Sequence, residues 1–150
     1  MDDDDLIETL NELIETCKDG EYGFRSCAQH VKSAELATLM VRRADDCRRA
    51  AAELQQQVTM LGVTAETTGS AAGALHRGWV ALRSTLSAYD DLAVLRECER
   101  GEDVAAKNYR RALDKSLPDP VRRLADRQYL ALKYSFEQIC ALRDEMQVRA

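Results

Sequence analysis

Glu21, Glu99 and Glu102 are the residues on which chemistry could rest in this 150-residue sequence. On a helical wheel Glu21 and Glu102 fall near the centres of otherwise apolar stripes, and Glu99 lies at a stripe edge. A carboxylate facing a core is costly unless it is paired, protonated or bound to metal. One reading is therefore a metal site for iron or manganese, with Glu21, Glu99, Glu102 and His76 as ligands. His76 is one of two histidines, and the other, His30, points off its stripe. The competing reading is electrostatic. Glu21 would pair with Arg25 one turn on, and Glu102 with an Arg, Tyr or Gln of a neighbouring helix, Tyr109 and Gln128 being candidates. Glu21 and Glu102 are expected to lie close together inside the bundle, paired or sharing a proton rather than holding two irons, with catalysis by the pair as a third reading.

The elements that must position these groups are helices. Apolar residues recur with helical period over 5–31, 33–61, 70–88, 90–116 and 119–148, within a single domain, 1–150. Ser33 reads as an N-cap, Gly62 as a helix stop, and Leu117-Pro118-Asp119-Pro120 as a break. Gly20 and Gly23 sit inside the first helix, which implies that another helix approaches closely there. The turn near Lys32 is short, so the first two helices form an antiparallel hairpin. For the first and fourth helices to lie antiparallel as well, the chain needs a crossover of one bundle length. The segment 70–88 supplies roughly 27 Å at about 1.5 Å per residue. Two antiparallel helix hairpins joined by a long helical crossover make an all-α, ferritin-like up-down bundle; a plain five-helix array is the alternative.

This wiring places Glu21 roughly 16 Å and Glu102 roughly 18 Å below one end of the bundle, hence in one layer. A di-iron centre takes single glutamates from two helices and Glu-x-x-His from each of the other two. The segments 33–61 and 119–148 contain no Glu-x-x-His, Glu53 and Glu137 project off their stripes, and the matching layer offers roughly Ala44 and Leu132. Half a site of this kind argues against a di-iron oxidase. Cys17 and Cys47 are each 15 residues from Lys32 and central in their stripes, so they should face one another. They read as small hydrophobes in a core, with a redox switch or soft-metal pair as the functional alternative. Trp79, in Gly73-Ala74-Leu75-His76-Arg77-Gly78-Trp79, reads as a pin for the crossover rather than as a ligand motif.

Composition excludes several classes. Five cysteines without a CxxC fit neither a disulfide scaffold nor a zinc ribbon. A net charge of −5 argues against nucleic acid. Arg42-Arg43 and Arg48-Arg49 have acidic neighbours and read as solvated helix faces. No apolar run approaches a membrane span, and the acidic start Met1–Asp5 is unlike a secretory signal, so a cytoplasmic location is expected.

Three stretches carry a resemblance: Leu13-Ile14-Glu15-Thr16-Cys17-Lys18-Asp19-Gly20-Glu21-Tyr22-Gly23-Phe24-Arg25, the Gly73–Trp79 run, and Glu97-Cys98-Glu99-Arg100-Gly101-Glu102-Asp103. Together they resemble a bacterial ferritin-like four-helix-bundle family, domain of unknown function 2383, over nearly the whole chain. The resemblance implies the ferritin-like fold. The wider superfamily binds di-iron or di-manganese through paired Glu-x-x-His, a pattern from which this sequence departs. The expectation is a non-enzymatic bundle protein with no required cofactor, forming homo-oligomers, with a stress-related role by superfamily analogy. The alternative is an iron- or manganese-binding protein with a partial carboxylate site.

Overall fold

A computed structural model describes residues 1–63 and 90–149. The described residues form four helices and no strand: α1 (Asp3–His30), α2 (Ala34–Met60), α3 (Asp91–Leu113) and α4 (Asp119–Arg149). The expected crossover over 70–88, with His76 and Trp79, lies outside the described residues.

Local chemistry sets the helix ends. Asp2 caps α1 by accepting from the Asp5 amide at 2.8 Å, and three aspartates in the first turn complement the helix dipole. Ser33 caps α2, accepting from the Leu36 amide, and Gly62 at φ +85° takes the left-handed conformation just past its end. Asp90 caps α3. That helix ends at Leu113, three residues short of its expected 116, and Arg122 of α4 donates to the freed Leu113 carbonyl at 2.9 Å.

Hydrogen bonds between helices fix the topology. The Asp91 carboxylate accepts from the backbone amides of Lys32 and Ser33 at 2.7 and 3.0 Å, tying the start of α3 to the α1–α2 turn. Farther along, Asn108 donates to Thr16, and Lys115 to Thr9, so α1 and α3 run antiparallel. Gln128 donates to the Ala50 carbonyl of α2, while Ser135 and Arg43 meet on Glu102, so α2 and α4 are antiparallel too. Asp90 thus lies beside the α1–α2 turn and Val63 a helix length away. Their placement at opposite ends is what ferritin-like wiring requires.

The core is divided. One apolar cluster holds Leu10, Leu13, Ile14, Leu54, Val58 and Ala125, and a second holds Phe24, Met40, Ala44, Leu95, Cys98 and Ile139. Between them the helices present buried polar side chains: Arg43, Glu102, Gln128 and Ser135. That polar layer is where the candidate site sits.

Candidate functional site

Glu102 projects from the buried face of α3, one turn beyond Cys98 and one before Ala106, and is only 2% exposed. Its Oε1 accepts from Arg43 Nε at 3.1 Å and from Ser135 Oγ at 2.8 Å, and Arg43 Nη2 lies 3.1 Å away. Three helices therefore converge on one oxygen. The other oxygen, Oε2, is buried with no hydrogen-bond partner among the described residues. Arg43 comes in from the flank of α2. Its Nη1 donates to Asp46 at 3.0 Å, and its guanidinium lies 5.5 Å from the centre of the Phe24 ring. Burial pushes the Glu102 carboxyl above its ordinary range, and Arg43 and Ser135 offset this only in part. Burial also opposes the Arg43 charge, but Glu102 beside it outweighs that and holds the guanidinium above its usual value.

Beside this pair lies a cavity of about 260 Å³. It exists because Gly20, Ala50, Gly101, Ala105 and Ala131, spread over all four helices, contribute almost no side chain. Gly20 is explained by close approach: a Cβ there would sit 2.9 Å from Cys47 Sγ. A polar chain borders the cavity. Tyr109 Oη donates to Gln128 Oε1 at 2.7 Å and lies 3.3 Å from Cys17 Sγ. Gln128 Nε2 in turn donates to the Ala50 carbonyl and to Glu53, which also binds Arg127. Burial raises the Cys17 thiol to about 11 and pushes Cys47 and the Tyr109 phenol up as well. Neither thiol is activated as a nucleophile.

The expected carboxylate pair does not form. Glu21 has the right level but the wrong direction. Arg25 holds it at 3.3 Å and continues to Asp45 at 3.2 Å, along the α1–α2 seam. Pairing toward solvent avoids the cost of a second carboxylate in the interior. Glu99 is held by Arg143 of α4, at 2.5 and 2.6 Å. Tyr109 and Gln128 bond each other rather than Glu102.

Arg43 is the functional residue that sequence reasoning missed. Arg42 is exposed as expected, but Arg43 is buried and its face is not solvated. The available signal was position: Arg43 precedes Ala44, which was assigned to the right layer, and a long side chain can turn inward from a stripe's flank. Ser135, one turn after Leu132, was legible in the same way.

The described residues do not fit a di-metal centre. Glu21, Glu99 and Glu102 each answer a different arginine, and no group of three or more His, Cys, Asp or Glu among the described residues is arranged to hold a metal ion. His76 lies outside them. No described helix is long and apolar enough to cross a membrane.

Comparison with known proteins agrees with the fold. The chain is similar in structure to a Dps1 mutant from Mycobacterium smegmatis, with a TM-score of 0.75 at 13% identity, covering 95% of this chain and 99% of that one. At that identity the likeness concerns the fold. No curated protein matches the chain in sequence. The family described as Domain of unknown function (DUF2383) matches residues 5–115. That span is most of the chain and contains the Cys17–Glu21 and Glu97–Asp103 segments around the layer, so the protein belongs to the DUF2383 family and has a ferritin-like fold.

Proposed function

We propose that this protein is a non-enzymatic helical bundle in which an arginine takes the place a metal ion would hold in a carboxylate layer. The observation that carries the reading is the Arg43 guanidinium seated on Glu102 at 3.1 Å inside the bundle. A cation already fixed there satisfies the carboxylate's charge and repels a divalent ion. Self-association belongs to the same reading. Leu130 and Tyr134, one turn apart on α4 and each 65% exposed, are side chains that a second copy would cover. We place the protein in the cytoplasm, and a stress-related role rests on the ferritin-like fold alone.

The test is metal analysis of protein dialysed against iron(II) and, separately, manganese(II), together with an assay of iron(II) oxidation. Substoichiometric metal and oxidation no faster than in buffer are expected. Two equivalents retained per chain, and lost in Glu102→Gln, would overturn the proposal in favour of a metal-binding ferritin-like protein. Light scattering checks self-association: a monomer at every concentration would remove that part.

A further inference from the structure

The cavity beside Glu102 has the composition of a binding site. Its walls are mostly apolar, from Phe24, Leu132 and the small residues that create the space, and a few polar groups converge at one side. Among the latter, Glu102 is built to receive a donor that the described residues do not supply. Its side chain is 2% exposed, and one oxygen carries all the donors from Arg43 and Ser135. A carboxylate has about four acceptor positions, and a buried oxygen left unbonded has lost its hydration with nothing in exchange. We propose that this cavity binds a small, neutral, largely apolar molecule carrying one hydrogen-bond donor, a phenol or alcohol, whose hydroxyl donates to Glu102 Oε2.

Size and charge define the class. A dry cavity of about 150 Å³ accommodates benzene, so about 260 Å³ holds a single substituted ring and excludes fused polycyclic ligands. Arg43 already answers Glu102 and, on its other side, the half-exposed Asp46, and Arg127 also lines the cavity, so fixed charges of both signs border it. A cationic ligand would meet the guanidinium and an anionic one the carboxylate, and both would lose their hydration on entry. A neutral donor meets neither penalty. Arg127 and Ala131 are exposed and Ala105 is half-buried, so these residues mark the side from which a ligand enters.

The inference rests on the metal-free layer proposed above, so metal content is measured on the sample used for binding. Phenol, benzene, benzoate and benzylamine are titrated calorimetrically against the full chain. Phenol should bind one per chain and raise the thermal midpoint. Benzene should bind about tenfold more weakly or worse, because a hydrogen bond to a charged acceptor contributes at least that factor, and the two ions should not bind. Ala105→Leu fills the cavity and should abolish phenol binding with the helical circular dichroism unchanged. Ala131→Leu, at an exposed position, should weaken binding should the first variant not fold. Absence of phenol binding in metal-free protein would show that the cavity holds only water and overturn the inference. Equal affinity for phenol and benzene, or binding undiminished in the folded variants, would overturn it too. Stoichiometric metal in the same sample would instead refute the non-enzymatic, metal-free reading.

Discussion

Replacing Arg43 by Met tests the centre of the structure directly. Arg43 is 8% exposed and supplies one of the two hydrogen bonds on Glu102 Oε1, with Nη2 a further 3.1 Å ion-pair contact, so the substitution leaves a carboxylate held by Ser135 alone in a site that is 2% exposed. Breaking a buried pair by removing one partner costs about 3–5 kcal/mol, and a chain of this size loses about 2–4 °C per kcal/mol, so a fall of about 6–20 °C in the melting midpoint is expected. Loss of the contact with Phe24, desolvated at this depth, adds about 2 kcal/mol. The variant's loss should shrink on acidification. Burial already raises the Glu102 carboxyl, and without Arg43 the folded state holds its proton to still higher pH. The folded form then binds more protons than the unfolded one, so stability is regained as pH falls through that raised value. Met at 43 with Leu at 102 should recover most of the loss, because apolar side chains replace both charges together. Urea unfolding of the wild type, both single variants and the double variant gives the coupling energy. A cost below about 1 kcal/mol for Arg43→Met, or additive single effects, would refute the argued burial of the pair.

Three other outcomes follow from the same geometry. Asp91→Ala removes the acceptor for the Lys32 and Ser33 amides and should cost about 1–2 kcal/mol; hydrogen exchange at those two amides should quicken, and unchanged exchange would show that the tie does not persist in solution. Cys17 and Cys47, with thiols raised by burial, should label slowly with a disulfide reagent at pH 8, and rapid labelling of both in the native state would contradict their packing. Burial, with Glu15 nearby, raises Asp19 from 3.8 to about 6. Its contribution is therefore present below pH 3.8 and lost as pH rises through 6. The slope of stability over that interval should flatten in Asp19→Asn, and an unaltered slope would assign the effect elsewhere.

The fold was legible because its signals are local and repeated. Ser33 and Gly62 bound α2 as their types require, and the short turn at Lys32 forced the hairpin. The antiparallel relation of α1 and α3 was the premise from which parity required a crossover, and Asp91 on the Lys32 and Ser33 amides is its physical expression. The levels were legible too, since rise per residue is nearly constant. Direction around each helix was harder to read. Glu21 lies close to the stripe centre by wheel angle, yet a long flexible side chain with Arg25 one turn away settles on the seam. Arg43 makes the opposite move, from a flank into the interior. A wheel assigns the Cβ direction, but charged side chains of this length choose among several destinations, and the choice depends on partners from other helices.

The layer also bears on why this core is not simply apolar. A buried ion pair adds little net stability against hydrophobic replacements, so the Arg43–Glu102 pair is poorly explained as a stabilising element. Its geometry is better suited to setting register. The apolar clusters on either side are made largely of Leu, Val, Ala and Ile, side chains that would repack after a slip of one turn. The polar contacts would not. Shifting α2 by a turn against α3 brings Met40 or Cys47 to the level of Glu102 and strands the carboxylate, and a slip of α4 takes Ser135 away from the same oxygen. Each misregistered bundle would bury an unpaired charge, whereas the observed one pairs that charge and leaves two buried oxygens, Glu102 Oε2 and Asn11 Oδ1, without a partner among the described residues. If the pair sets register, the doubly apolar variant should approach the wild type in stability yet lose its single register, giving heterogeneous amide spectra. Uniform, wild-type-like dispersion in that variant would assign register to the helix caps and to Asp91 instead.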